Sequence, residues 1–194
     1  MMVDILATPT VVRYRFTVED YHRMGEAGIL DEDDRVELIE GEILYMSPIG
    51  GKHAACVNES ARLLIVRLND RAVVSIQNPV RLSARSEPEP DLMLLRPRAD
   101  RYREGLPVPE DVLLIIEVAD STLHFDRGTK LPLYAAAGIP EVWIVDLERR
   151  RVLVHRQPDG DLFREAFVID QGSLSPSAFP DVALRVDEIF GKPR

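Results

Sequence analysis

The chain has little of what staples or anchors a small protein. It holds one cysteine, Cys56, in 194 residues, which excludes an internal disulfide and a cysteine-rich zinc site. Cys56 falls in an apolar helical pattern and reads as a core residue, in keeping with a reducing, cytoplasmic setting. No run of about 20 apolar residues is present, so no membrane-spanning helix is expected. The opening MMVDILATPTVV has no basic stretch and carries Asp4, so it does not read as a signal peptide. Histidines are few and scattered (His22, His53, His124, His155), with no HExxH spacing. GxxxxGK[ST], GxGxxG after a strand and GxSxG are all missing, which removes the commonest nucleotide and serine-hydrolase signatures. Lysine is scarce too: Lys52, Lys130 and Lys192 stand against 21 arginines, so each lysine is less readily dismissed as filler. Positive charge is in deficit, with 24 basic against 33 acidic residues and a net charge of -9. That balance argues against nucleic-acid binding, where phosphate neutralisation supplies much of the affinity.

What is present is globular. The hydrophobic fraction is 45% and the charged fraction 29%, which excludes a disordered or low-complexity chain. A chain of this length buries roughly 70% of its unfolded surface and needs no staple. Residues 1–15 read as an N-terminal extension and 16–194 as a single domain. Thr17-Val18-Glu19-Asp20 resembles a capping box and predicts a helix to about Glu26, stopped near Gly28. Residues 35–47 predict a β-hairpin around Gly41-Glu42, and Pro48 to Gly51 a turn. His53, Val57, Ala61, Leu64 and Leu68 share one face of a helix over 52–69. Residues 72–83 read as one or two strands, weakened by Pro79. After a Pro-punctuated loop over 84–90 comes a short apolar strand, 91–95. The nearly unbroken apolar run 112–118 predicts a central strand buried on both faces. A helix ending near Ala137 and a strand over 141–146 complete a crossover unit with parallel strands. Two further strands, about 151–156 and 162–169, read as antiparallel, joined at Pro158-Asp159-Gly160. A short apolar segment, Val186 to Phe190, ends the pattern. The fold class is α/β (mixed α+β), a central mixed β-sheet flanked by helices.

The informative feature is a carboxylate inside a buried strand. Glu117 lies near the end of VLLIIEV, where a charge is costly unless paired or bound to a metal. Asp91 opens another apolar strand. If the strands are neighbours, the two carboxylates converge at one edge of the sheet. Such hard oxygen ligands suit Mg²⁺, which keeps several waters and takes the rest of its shell from phosphate. A nearby ammonium would orient a water and offset developing negative charge; Lys130 is the candidate. The alternatives remain a solvent-facing Glu117 and a solvated Lys130.

In this order, Pro90-Asp91, Glu117-Val118, Ser121-Thr122, Asp126, Lys130, Tyr134 and GIPEVWIVD (138–146) resemble the Uma-type restriction endonuclease family of the PD-(D/E)XK superfamily. Glu37 to Glu42, Met46-Ser47-Pro48, His53 and Phe179-Pro180-Asp181 through Phe190 extend the resemblance over about 16–190. The resemblance implies a restriction-endonuclease-like core and a DNA endonuclease using Mg²⁺ or Mn²⁺. Asp91 would match the motif Asp and Glu117 the (D/E) position. Both would hold the metal beside the carbonyl of Val118, with Glu37 as the N-terminal acidic residue. The usual lysine position is Ala119, so the lysine would be displaced to Lys130. Pro132, two residues on, disfavours a helix interior and places the helix start near Thr129, with Lys130 at its N-terminus.

Supporting roles are open for four residues. His53 could face the site or make a structural hydrogen bond. Gln77 could approach a metal-bound water or be an edge-strand polar group. Asp126 caps the helix or positions Lys130, and His124 assists a proton transfer or fills a loop. Tyr134 and Trp143 read as core. Two rival functions stand: a catalytically inactive nuclease-fold binding or assembly module, and a nuclease for RNA or structured DNA. A homodimer would let both DNA strands be cut. The residues around Asp91 also soften the charge argument. Arg81, Arg85, Arg96, Arg98, Arg101 and Arg103 stand there against Glu87, Glu89, Asp91 and Asp100, and arginine suits phosphate.

Overall fold

The order of the elements follows the apolar patterning closely. The computed structural model describes residues 12–31 and 33–191. The part of the expected N-terminal extension up to residue 11, and residues 192–194, lie outside the described residues. Thr17 caps helix α1 (Val18–Glu26) with a complete capping box, its hydroxyl accepting from the Asp20 N–H and Asp20 accepting from the Thr17 N–H. Strands β1 (Val36–Ile39) and β2 (Glu42–Tyr45) form an antiparallel hairpin. Its turn is Glu40-Gly41 rather than Gly41-Glu42, with φ of 49° and 78°, the positive pair that suits the twist of a tight hairpin. A Cβ on Gly41 would meet Arg15 and the Phe16 carbonyl within 3 Å, so glycine is required there.

Helix α2 (Gly51–Leu68) buries Val57, Ala61, Leu64 and Leu68 as its periodicity predicts. The main sheet has six strands in the order β3-β4-β5-β6-β7-β8. These are Val73–Ile76, Leu92–Leu95, Val112–Ala119, Glu141–Asp146, Arg151–Asp159 and Leu162–Ile169. Only β5 and β6 run parallel. The chain between them supplies α3 (Leu123–Phe125), a π-helical turn (Asp126–Lys130) and α4 (Leu131–Ala136). One face of the sheet packs on α2 through Leu92, Leu94, Leu114, Ile116 and Val118. The other packs on α4 through Met93, Leu95, Ile115, Ala119 and Tyr134. Strand β5 is therefore apolar on both sides. Burial of Leu114, Ile115 and Ile116 alone removes side chains each worth about 1.5–3 kcal/mol from water. A two-stranded sheet, β9 (Ser173–Leu174) with β10 (Leu184–Arg185), and helix α5 (Val186–Ile189) close against α2.

Of the one or two strands expected over 72–83 there is one, of four residues, because the chain turns left-handed at Gln77 (φ 49°) before Pro79. Two expectations are corrected. Strand β7 runs through Pro158, which pairs with Phe163, so the turn falls at Gly160-Asp161. The helix after β5 begins at Leu123, well before Thr129.

Candidate active site

The register of β4 and β5 places the first two residues of the site. Leu92 pairs with Ile116, so Asp91 falls one step on, opposite Glu117. The Asp91 N–H donates to Glu117 Oε2 at 3.4 Å. Asp91 is held by three further groups. Its Oδ2 accepts from the Val118 N–H at 2.8 Å and lies 3.0 Å from His53 Nε2, and its Oδ1 accepts from Gln77 Nε2 at 3.2 Å.

Lys130 arrives from the helix. Its ammonium lies 3.0 Å from Glu37 Oε2 and 3.3 Å from Glu117 Oε1. Lys130 is 6% exposed, Glu117 4% and Glu37 3%. Lys130 does not open the helix, as Pro132 had implied; it closes the π-helical turn. A proline at 132 lacks an N–H and in a regular α-helix would crowd the carbonyl four residues back. In the wider turn the Leu131 N–H donates to the Asp126 carbonyl, five residues back, and Pro132 sits in the first turn of α4.

Two residues read otherwise from the sequence belong here as well. Tyr134, one turn beyond Lys130, is core as expected, yet its hydroxyl donates to Glu117 Oε1 at 2.5 Å. Glu89 donates its N–H to Glu37 Oε2 at 3.3 Å and lines the same cavity. Both had a signal. Tyr134 is four residues from Lys130 on one helix face. In Glu89-Pro90-Asp91 the residue before the proline is held extended, and both acids line the cavity.

Burial sets the electrostatics. It pushes the Glu117 carboxyl up to about 8, against the pull of Lys130 and with the help of the Asp126 and Asp91 charges. Burial likewise raises Asp126 and Glu89. The same desolvation works to lower Lys130, but Glu117 and Glu37 outweigh it and hold the ammonium above its ordinary value. The hydrogen bond with Asp91 raises His53 over the opposing effect of burial.

These side chains line a cavity of about 550 Å³. Glu37, Glu89, Asp91, Glu117, Asp120 and Asp126 line it against only two full cations, Arg35 and Lys130. Leu44, Tyr45, Met46, Pro48, Ile49 and Phe125 supply an apolar wall. The acid excess and the desolvated Glu117 carboxylate fit a hard divalent cation. Among the described residues no three His, Cys, Asp or Glu side chains form a ready cage. The donor set is a carboxylate pair, the arrangement Mg²⁺ uses when it keeps its waters.

Of the residues singled out from the sequence, Asp91, Glu117, Lys130, Glu37, Val118, His53, Gln77 and Asp126 all line this cavity. Asp126 is not a cap. It lies inside the helical run, where its Oδ2 accepts from the Thr122 hydroxyl at 2.7 Å, because the helix begins three residues before it. His124 is exposed on α3 and is not among the lining residues. It stays outside because the helical run points it away while Asp126 and Lys130 turn inward.

A mixed sheet that sets an Asp and a Glu opposite each other on adjoining strands, flanked by helices, is the restriction-endonuclease-like class of fold. The Uma2 family profile, described as "Putative restriction endonuclease", matches residues 18–187, and the chain belongs to that family. Its fold is similar to a crystal structure described as "a putative nuclease belonging to DUF820" from Anabaena variabilis ATCC 29413. The TM-score is 0.69 at 17% identity, over 90% of this chain and 97% of that one. No curated protein matches the sequence.

Proposed function

We propose that the protein is a divalent-metal-dependent endonuclease that hydrolyses phosphodiester bonds of DNA. The observation that carries this reading is Asp91 opposite Glu117 with the Lys130 ammonium 3.3 Å from Glu117. Family membership supports the nuclease class. Asp91 and Glu117 would hold Mg²⁺ or Mn²⁺ beside the carbonyl of Val118. A cation bound there would lower the pKa of a coordinated water and polarise the phosphoryl group.

The remaining work falls to side chains. Lys130 stays protonated, so it acts as a donor: it orients the attacking water and offsets negative charge as the new O–P bond forms and the leaving oxygen departs. Glu37 positions Lys130, and Tyr134 fixes the Glu117 carboxylate. His53, Gln77 and the Val118 N–H fix that of Asp91. Ala119 alone would favour the non-cleaving module, but a lysine reaching Glu117 from the helix supports catalysis.

The test is cleavage of plasmid and single-stranded DNA with Mg²⁺ or Mn²⁺. Wild type is expected to cut, and Asp91→Ala and Lys130→Ala to lose activity. A pure wild-type protein that cuts nothing, or an Asp91→Ala protein that cuts as well, overturns the proposal.

A further inference from the structure

We propose that this site takes DNA as an unpaired strand, with one nucleotide in the cavity and its base laid against the wall that carries Tyr45, Met46 and Phe125. The inference rests on the endonuclease reading of Asp91, Glu117 and Lys130 and adds what the site accepts.

Depth is the first ground. Glu117, Lys130 and Glu37 are nearly fully buried and Asp91 is only partly exposed, and all four line a cavity of about 550 Å³, a size that encloses one compact group. A phosphate in a stacked, paired duplex is flanked on both sides by its neighbours. To reach a buried floor the strand must leave the stack, as it does for enzymes that work on extruded nucleotides.

Charge is the second ground. Six acids and two full cations line the cavity, and Lys130 is already engaged by Glu37 and Glu117. Paired and unpaired strands alike are gripped through their phosphates by Lys and Arg. This lining offers no such row, so affinity must come from a source other than the backbone.

The apolar wall is that source. Tyr45 ends β2 at the cavity with 83% of its surface exposed, a large aromatic left in water where burying it would be favourable. Met46, Pro48 and Ile49 continue the wall. Aromatic side chains beside a backbone-holding site are how single strands are bound without sequence preference, since every base has a π-face. Met adds a polarizable contact.

The test uses the full chain and a labelled 12-nucleotide DNA strand, alone or as a blunt duplex, with Ca²⁺ as the hard cation. Fluorescence anisotropy is expected to show the single strand bound at least tenfold more tightly than the duplex. Tyr45→Ala should weaken single-strand binding roughly tenfold, the loss of one stacked base, and Tyr45→Phe should bind as wild type. An unchanged melting temperature for both variants shows that the fold is kept. Equal or tighter duplex binding, no loss in Tyr45→Ala, or tighter binding of RNA of the same sequence overturns the inference. With Mg²⁺ or Mn²⁺ the wild type should cut single strands and splayed ends before paired DNA. Faster cutting of paired DNA overturns the inference and leaves the endonuclease reading standing. A Tyr45-dependent single-strand preference without any cutting does the reverse.

Discussion

Replacing Lys130 with methionine keeps an unbranched stem and removes the charge between Glu37 and Glu117. Both carboxylates are nearly fully buried and lie 3.0 and 3.3 Å from the ammonium. Deleting one partner of a buried ion pair costs about 3–5 kcal/mol, because a charge is left without compensation. In a chain of this size each kcal/mol lowers the melting temperature by about 2–4 °C, so the expected loss is roughly 6–20 °C. The penalty has a pH signature. In the wild type Glu117 takes up a proton below about 8, and without Lys130 it must hold that proton to still higher pH. At pH 6 only Glu37 loses a needed partner; at pH 9 both carboxylates do. The destabilisation of Lys130→Met should therefore grow from pH 6 to pH 9 in urea unfolding. Lys130→Met combined with Glu117→Gln should recover part of the alkaline loss, since contacting residues couple. A loss under about 0.5 kcal/mol, as for a surface residue, or a penalty that shrinks with pH, refutes this account of the site.

Three further outcomes follow from the same contacts. Tyr134→Phe removes a hydrogen bond to a buried carboxylate and should cost about 1.5–3 kcal/mol by denaturant unfolding, while cleavage falls and the volume of the core is kept. Glu117 should dominate a pH dependence of stability in the metal-free protein. Its folded pKa is raised from 4.5 to about 8, so its contribution is complete below 4.5 and is lost as pH rises through 8. That amounts to at most about 5 kcal/mol at 1.36 kcal/mol per pH unit, and Glu117→Gln should flatten the profile. Mg²⁺ at a hundredfold excess over its dissociation constant should stabilise the wild type by about 2.7 kcal/mol. Asp91→Asn should abolish that gain, and an equal gain in the variant rules out ligation by Asp91.

Much of the fold was legible because its signals are local. The unbroken apolar run 112–118, the capping box at Thr17 and the one-faced pattern of 52–69 each act through burial or capping within a few residues. That Asp91 and Glu117 sit at the ends of two apolar runs was legible, but that those runs pair as β4 and β5 in this register was left open by the sequence. What was not legible depends on how the chain resolves a conflict. Pro132 argued for a late helix start, yet the chain keeps an earlier helix and widens one turn to accommodate the ring. That choice carries Lys130 inward, moves Asp126 from cap to cavity and leaves His124 outside. Gln77 was similar: nothing in its neighbours announces a left-handed residue that ends β3 and turns its amide onto Asp91. Tyr134 was hidden by being truly core, with only its hydroxyl taking part in the site.

The β1–β2 hairpin belongs to neither face of the main sheet. It is stitched to the acidic segment before β4 through Leu38 and Glu87, and it reaches the helix through Glu37 and Lys130. The same ladder of four residue pairs carries Tyr45 at its open end, opposite Val36. Beside that stitch, Lys130 acts as a rivet between two separately built plates, one bearing Asp91 and Glu117 and the other Tyr45. A change of charge at this ion pair would act on both plates at once, so under the proposed function the grip on the strand and the readiness of the chemistry share one contact.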